Sequence, residues 1–177
     1  MGSATNAIIG MMMLWWAWIA FNQVTAACTE HCQGRSSLSF QGATFGISGK
    51  RWMVAIRATI TSILASFAGG MVGLGYSLLT KKGKTDVMMS CQGILAGVIS
   101  IMAGCANISN LEAVVTGAVG ALLAILATRA LVWLRVDDPV GASAVHGAAG
   151  LWSMVAVGLF ATRDDIEVMC GHDMGSL

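Results

Sequence analysis

Five long apolar stretches are the feature that most constrains this chain. They cover residues 4–21, 52–79, 87–103, 111–133 and 139–160. Each approaches or exceeds the roughly 20 helical residues that cross a hydrocarbon core about 30 Å thick. The predicted fold class is therefore all-α, a polytopic transmembrane helical bundle with about five membrane-spanning helices in a single membrane domain over residues 1–177.

The composition agrees with a chain whose main surroundings are the lipid bilayer. Of its residues, 56% are hydrophobic and only 11% are charged, which argues against a soluble enzyme. The formal net charge of +1 provides no basic field for nucleic acid, so we expect no nucleic-acid partner.

Cysteine and histidine spacing gives little support to a metal site. Only "CTEHC", with Cys28, His31 and Cys32, has spacing that resembles a set of zinc ligands. A single cluster of three candidates with no second half is a weak signal. We predict no metal and no cofactor.

The loops between the apolar stretches set the expected topology. Lys81, Lys82 and Lys84 follow the second stretch, and Arg129 and Arg135 lie near the end of the fourth. If every stretch spans, these basic residues share one side, which the positive-inside rule makes cytoplasmic. The outer loop "GCANISN" then carries a candidate glycosylation site at Asn107. Glycine and alanine recur within the stretches, as in "GILAGVISIMAG", and predict close helix packing.

The stretch "DDPVGASAVHG" places a histidine inside an apolar segment. Asp137, Asp138 and Pro139 are predicted to form the cytoplasmic end of a helix, with Asp138 capping it. Eight residues of helical rise then put His146 about 12 Å deeper, near the middle of the bilayer. Small residues share its face at α-helical spacing, namely Ala142, Ala149 and Gly150.

An ionisable group at that depth commonly marks an ion or proton route, although a histidine that only hydrogen-bonds between helices is the alternative. On the first helix Leu14, Trp18 and Phe21 form a stripe at i, i+4 and i+7 that ends at Asn22. Such a stripe is typical either of ordinary packing or of a face that holds a small cation.

These residues carry a family resemblance. The stretch that begins "DDPVGASAVHGAAGLW" resembles the motif that opens the tenth transmembrane helix of the ammonium transporter and Rhesus family, and the fit is closer to the ammonium transporter branch. In the same order, "LWWAWIAFN" resembles the family's sixth helix, "TFGISGKRW" the start of the seventh and "GILAGVISIMAGCA" the eighth.

The resemblance implies a partial ammonium transporter fold, with helices six to ten of eleven. It makes His146 the second of two pore histidines and Phe21 one of two gating phenylalanines, with Leu14, Trp18 and Ala142 beside the pore. It further implies ammonium or ammonia as substrate, permeation rather than enzymatic catalysis, a homotrimeric parent and a multi-pass location, which we expect to be the plasma membrane. The alternative is a truncated, non-conducting fragment with a structural or regulatory role in assembly with full-length subunits.

The sequence departs from the family pattern in two ways. Residues 24–41 intervene where the family has a few residues, and we interpret them as an inserted segment, either a retained intron or a genuine extracellular loop. Ala43 and Met102 stand where the family often has serine and threonine, so details of substrate recognition are expected to differ.

Overall fold

The computed structural model describes residues 3–28 and 49–161, and its regular elements there are all helical. The elements are α1 (Ala4–Cys28), α2 (Gly49–Thr80), α3 (Val87–Ser100), α4 (Asn110–Trp133), a π-helix (Ser143–Ala148) and α5 (Ala149–Phe160). Four spans within them are long and apolar enough to cross a membrane, the last of which joins the π-helix to α5. The predicted all-α membrane bundle is confirmed.

Helix α3 is shorter than the sequence predicted. It ends at Ser100 instead of residue 103, and turns follow as far as Asn107. The backbone leaves the helix because the N–H of Ala103 donates to Ser153 Oγ on α5, at 2.8 Å, instead of to a carbonyl one turn earlier. With 14 residues, α3 is an apolar helix below the length of the other four spans.

The start of the last helix also differs from the prediction. Pro139 and Val140 form a turn, and helical backbone begins at Ala142. Gly141 separates the two parts with a φ of +69°, and the Gln92 side chain fills the space that a Cβ would need there. Pro139 is therefore outside the helix.

Small residues let the helices approach closely, as the sequence predicted. A Cβ on Gly93 of α3 would lie 2.6 Å from the carbonyl oxygen of Gly69 on α2. One on Gly97 of α3 or Gly117 of α4 would lie within 2.4 Å of the carbonyl oxygen of Ala65 on α2. Helix α2 thus packs against both α3 and α4 at backbone contact distance, which supplies the dispersion attraction that associates helices in lipid.

The ends of α2 and α4 lie together. The Arg129 guanidinium carbon is 5.1 Å from the centroid of the Tyr76 ring, and each residue is four positions before the end of its helix. Lys81, Lys82 and Lys84 follow α2 directly, and Arg135 follows α4. The basic residues therefore share one end of the bundle, while the cytoplasmic assignment of that end stays a prediction.

The interpretation of residues 24–41 as an insertion concerns residues that are mostly outside the described part. Val24 to Cys28 continue α1 to its end, and residues 29–41 are not among the described residues. The insertion stays a prediction.

Candidate functional site

His146 lies in the π-helix, just after a capped helix start. The Asp138 carboxylate accepts hydrogen bonds from the backbone N–H groups of Ala142 at 3.0 Å, Ser143 at 2.9 Å and Ala144 at 3.3 Å. The predicted capping role of Asp138 is thus observed, although the helix it caps starts later than expected. Asp137 is exposed and takes no part in these bonds.

The height of His146 in the bundle follows from its neighbour Trp152. The indole N–H of Trp152 donates to the carbonyl of Thr116 at 3.0 Å, and Thr116 is six residues into α4. His146 is six residues before Trp152, so it lies about 18 Å from the end at which α4 begins, while α4 is about 36 Å long. His146 is therefore near the middle of the bundle, although the predicted count of eight helical residues after Asp138 was wrong.

The π-helix changes which residues share a face with His146. Its i→i+5 hydrogen bonds make a wider turn than those of an α-helix. Ala149, which α-helical spacing places beside His146, is fully buried, whereas His146 and Ala142 are exposed. The predicted common face of His146 and Ala149 is thus wrong.

Trp18 and His146 are brought together by the tertiary structure. Their ring centroids are 5.3 Å apart and the ring planes are inclined by 36°. The indole N–H of Trp18 donates to Sδ of Met102 at 3.0 Å, in the turn after α3. The stripe on α1 and the histidine of the last helix thus meet at one place.

The rest of the predicted stripe flanks this contact and is open. Leu14 is 49% exposed and Phe21 is 53% exposed, and both lie on the Trp18 face of α1. None of the described helices covers this face of the bundle. The surface that includes Leu14, Trp18, Phe21, Ala142 and His146 is called the His146 face below. It is apolar except for one imidazole.

Asn22, at the end of the stripe, points the other way. It is 1% exposed, its Nδ2 donates to Ser62 Oγ on α2 at 2.9 Å, and its carbonyl accepts from the Cys105 thiol at 3.8 Å. These contacts hold α1 so that Phe21, the preceding residue, faces outward. The sequence prediction did not identify Ser62 or Ser153, although serines inside apolar runs are a usable signal because a buried hydroxyl needs a partner.

The candidate glycosylation site is poorly presented. The amide oxygen of Asn107 is buried, and Ser109, the third residue of the sequon, caps α4 with its hydroxyl in a capping box with Glu112. Use of Asn107 stays a prediction.

Within residues 3–28 and 49–161, no group of three potential metal ligands lies together. The zinc alternative involved Cys28, the last residue of α1, together with His31 and Cys32, which lie outside the described residues.

A bundle of membrane-length helices that exposes one imidazole on an apolar wall at mid-height defines a polytopic membrane protein. The sequence matches the profile of the Ammonium Transporter Family over residues 1–176. The chain belongs to the ammonium transporter family.

Relatives and solved structures agree with this membership. "Putative ammonium transporter 3" of Caenorhabditis elegans is 34% identical over 164 residues, which are 93% of this chain and 21% of that protein. "Ammonium transporter Amt2" of Archaeoglobus fulgidus is 34% identical over 158 residues, 88% of this chain and 28% of that protein.

The crystal structure of Saccharomyces cerevisiae Mep2 superimposes with a TM-score of 0.74 at 24% identity, over 94% of this chain and 34% of that one. A "Sensor Amt Protein" gives 0.73 at 24% identity, over 96% of this chain and 38% of that one. At this identity the likeness shows the fold alone. The chain spans about a fifth to a third of the length of the curated relatives it matches.

Proposed function

We propose that this chain supplies one wall of a pore that conducts ammonium or ammonia across a membrane. The observation that carries the proposal is the exposure of His146 at mid-height on an apolar face, with its ring against Trp18. A buried structural histidine would instead be enclosed by its neighbours. Membership of the ammonium transporter family supports ammonium as the substrate class.

The chemistry of the His146 face suits this substrate. An ammonium ion that enters an apolar tube loses its hydration at a large free-energy cost, whereas neutral ammonia loses little. A neutral imidazole has one donor and one acceptor nitrogen, so it can hydrogen-bond ammonia or exchange a proton with it. Selectivity would then come from apolar walls with one polar position, without covalent catalysis.

A pore also needs an opposite wall, and none of the described residues supplies one. The complete transporter would close the His146 face with further helices, and we propose that it is a homotrimer in the plasma membrane. The open face also favours the alternative reading of this chain by itself, a membrane fragment that inserts and conducts nothing. We therefore expect cells that express only residues 1–177 to show no ammonium uptake above background.

The test uses a full-length protein in which residues 1–177 replace the matching part of the Archaeoglobus fulgidus relative, called the chimera below. The variant His146→Leu removes both ring nitrogens and keeps an apolar side chain. The only partner that the described structure shows for the His146 ring is Trp18, so unfolding free energy should change by about 0.5–1.5 kcal/mol at most. Loss of a hydrogen-bonding position for a desolvated substrate is worth about 1–3 kcal/mol, so flux should fall roughly 5- to 150-fold.

The matched control is Trp152→Phe, which removes the hydrogen bond to Thr116 six residues away on the same helix. It should lower stability slightly and leave flux per surface molecule unchanged. Ammonium uptake is normalised to surface protein for both variants. Wild-type flux and ion selectivity in His146→Leu would remove His146 from the conduction path.

A further inference from the structure

A closed series of contacts joins three parts of the bundle around His146. On one side, the His146 ring packs against Trp18 of α1, whose indole N–H donates to Met102 Sδ at 3.0 Å. On the other, the neighbour of Met102 in the turn, Ala103, donates its N–H to Ser153 Oγ at 2.8 Å. Ser153 lies on α5, seven residues after His146. The series thus begins and ends on the same helical segment.

The donor and the acceptor in this series are matched. Indole Nε1–H can only donate, and a thioether can only accept, so the two groups satisfy each other in a half-buried place. A tryptophan has few side-chain torsions, and fixing its N–H fixes the plane of the ring. The ring plane in turn sets how Trp18 meets the imidazole.

Methionine is a flexible side chain, so its value as an anchor depends on its backbone. That backbone is held at two adjacent residues. Met102 donates its N–H to the Ile99 carbonyl at 3.1 Å, and Ala103 is bound to Ser153, which is itself only 3% exposed. The sulfur therefore lies at a position defined relative to the helix that carries His146.

We propose that Met102 is a positioning residue: its thioether holds the Trp18 indole against His146 and so sets the wall of the pore beside the imidazole. The contact itself is independent of the proposed transport function, whereas its consequence for flux rests on that function. The test therefore has one readout for each.

The first readout is the indole ¹⁵N–¹H resonance of Trp18 in the whole 177-residue chain in lipid nanodiscs, assigned with Trp18→Phe. Met102→Leu keeps an apolar side chain without an acceptor, so the Trp18 signal should move to the position of a non-hydrogen-bonded indole. Met102→Gln has similar length and an acceptor oxygen, and should keep the signal hydrogen-bonded. Trp15, bonded to Ser66 Oγ at 3.0 Å, is the internal control and should not move.

An unchanged Trp18 signal in Met102→Leu, with Trp15 in place, would overturn the contact. If the leucine variant loses the Trp15 signal as well, Met102→Gln decides, because an unbonded Trp18 in that variant overturns the contact too.

The second readout is uptake by the chimera. Met102→Leu should lower flux about two- to tenfold, and Met102→Gln should restore it. In a Trp18→Phe background Met102→Leu should have no further effect, since the donor is already gone. Additive effects, or normal flux when the spectrum shows Trp18 released, would overturn the positioning role. Normal flux in His146→Leu as well would instead be a failure of the proposed function.

Discussion

Gly69 provides a sharp test of the packing that holds the pore wall together. An added Cβ at Gly69 would lie 2.3 Å from the carbonyl oxygen of Gly93 and 2.9 Å from Cα of Gly97, about 1 Å inside normal contact. Backbone atoms cannot move aside as a side chain can, so α2 and α3 must separate. Such overpacking costs about 1–3 kcal/mol.

Gly75 is the matched control, because it lies six residues later in α2 and nothing stands within 4 Å of its Cβ position. Alanine should favour the helix at both sites by about 0.5–1 kcal/mol. The difference in unfolding free energy between Gly69→Ala and Gly75→Ala therefore isolates the overpacking, at about 1–3 kcal/mol. For a chain of this size it corresponds to a melting temperature roughly 2–12 °C lower for Gly69→Ala.

The measurement is thermal unfolding in nanodiscs, followed by far-ultraviolet circular dichroism. Equal melting temperatures for the two alanine variants would refute the close α2–α3 contact. A Gly75→Ala protein less stable than wild type would instead refute the reasoning about helix propensity.

Two further predictions concern topology and capping. A thiol reagent that cannot cross membranes should label Asn110→Cys from outside but not Lys82→Cys, and the reverse pattern would overturn the orientation; native Cys105 should stay unlabelled at neutral pH, because it is 5% exposed and burial raises the pKa of its thiol to about 11. Asp138→Ala should cost about 1 kcal/mol of unfolding free energy and exposed Asp137→Ala almost nothing, measured by thermal unfolding, and equal losses would contradict the cap.

Part of the candidate site could be predicted from the sequence. The stripe of Leu14, Trp18 and Phe21 follows from spacing within one helix, and an imidazole in an apolar run identifies His146. The partner of the Trp18 indole could not be predicted, because Met102 is 84 residues away and the contact depends on how α1 crosses the turn after α3.

The sequence by itself determined that the apolar stretches are helices, since a backbone in hydrocarbon must satisfy its hydrogen bonds within the segment. It also determined that Asp138 caps the last one. Tertiary structure decided where helices yield to other geometry: α3 ends early because Ser153 takes the N–H of Ala103, and Gly141 lets the chain turn before the π-helix. The physical reason is range, because helix formation depends on neighbours along the chain, whereas the face that a side chain presents depends on groups brought close only by packing.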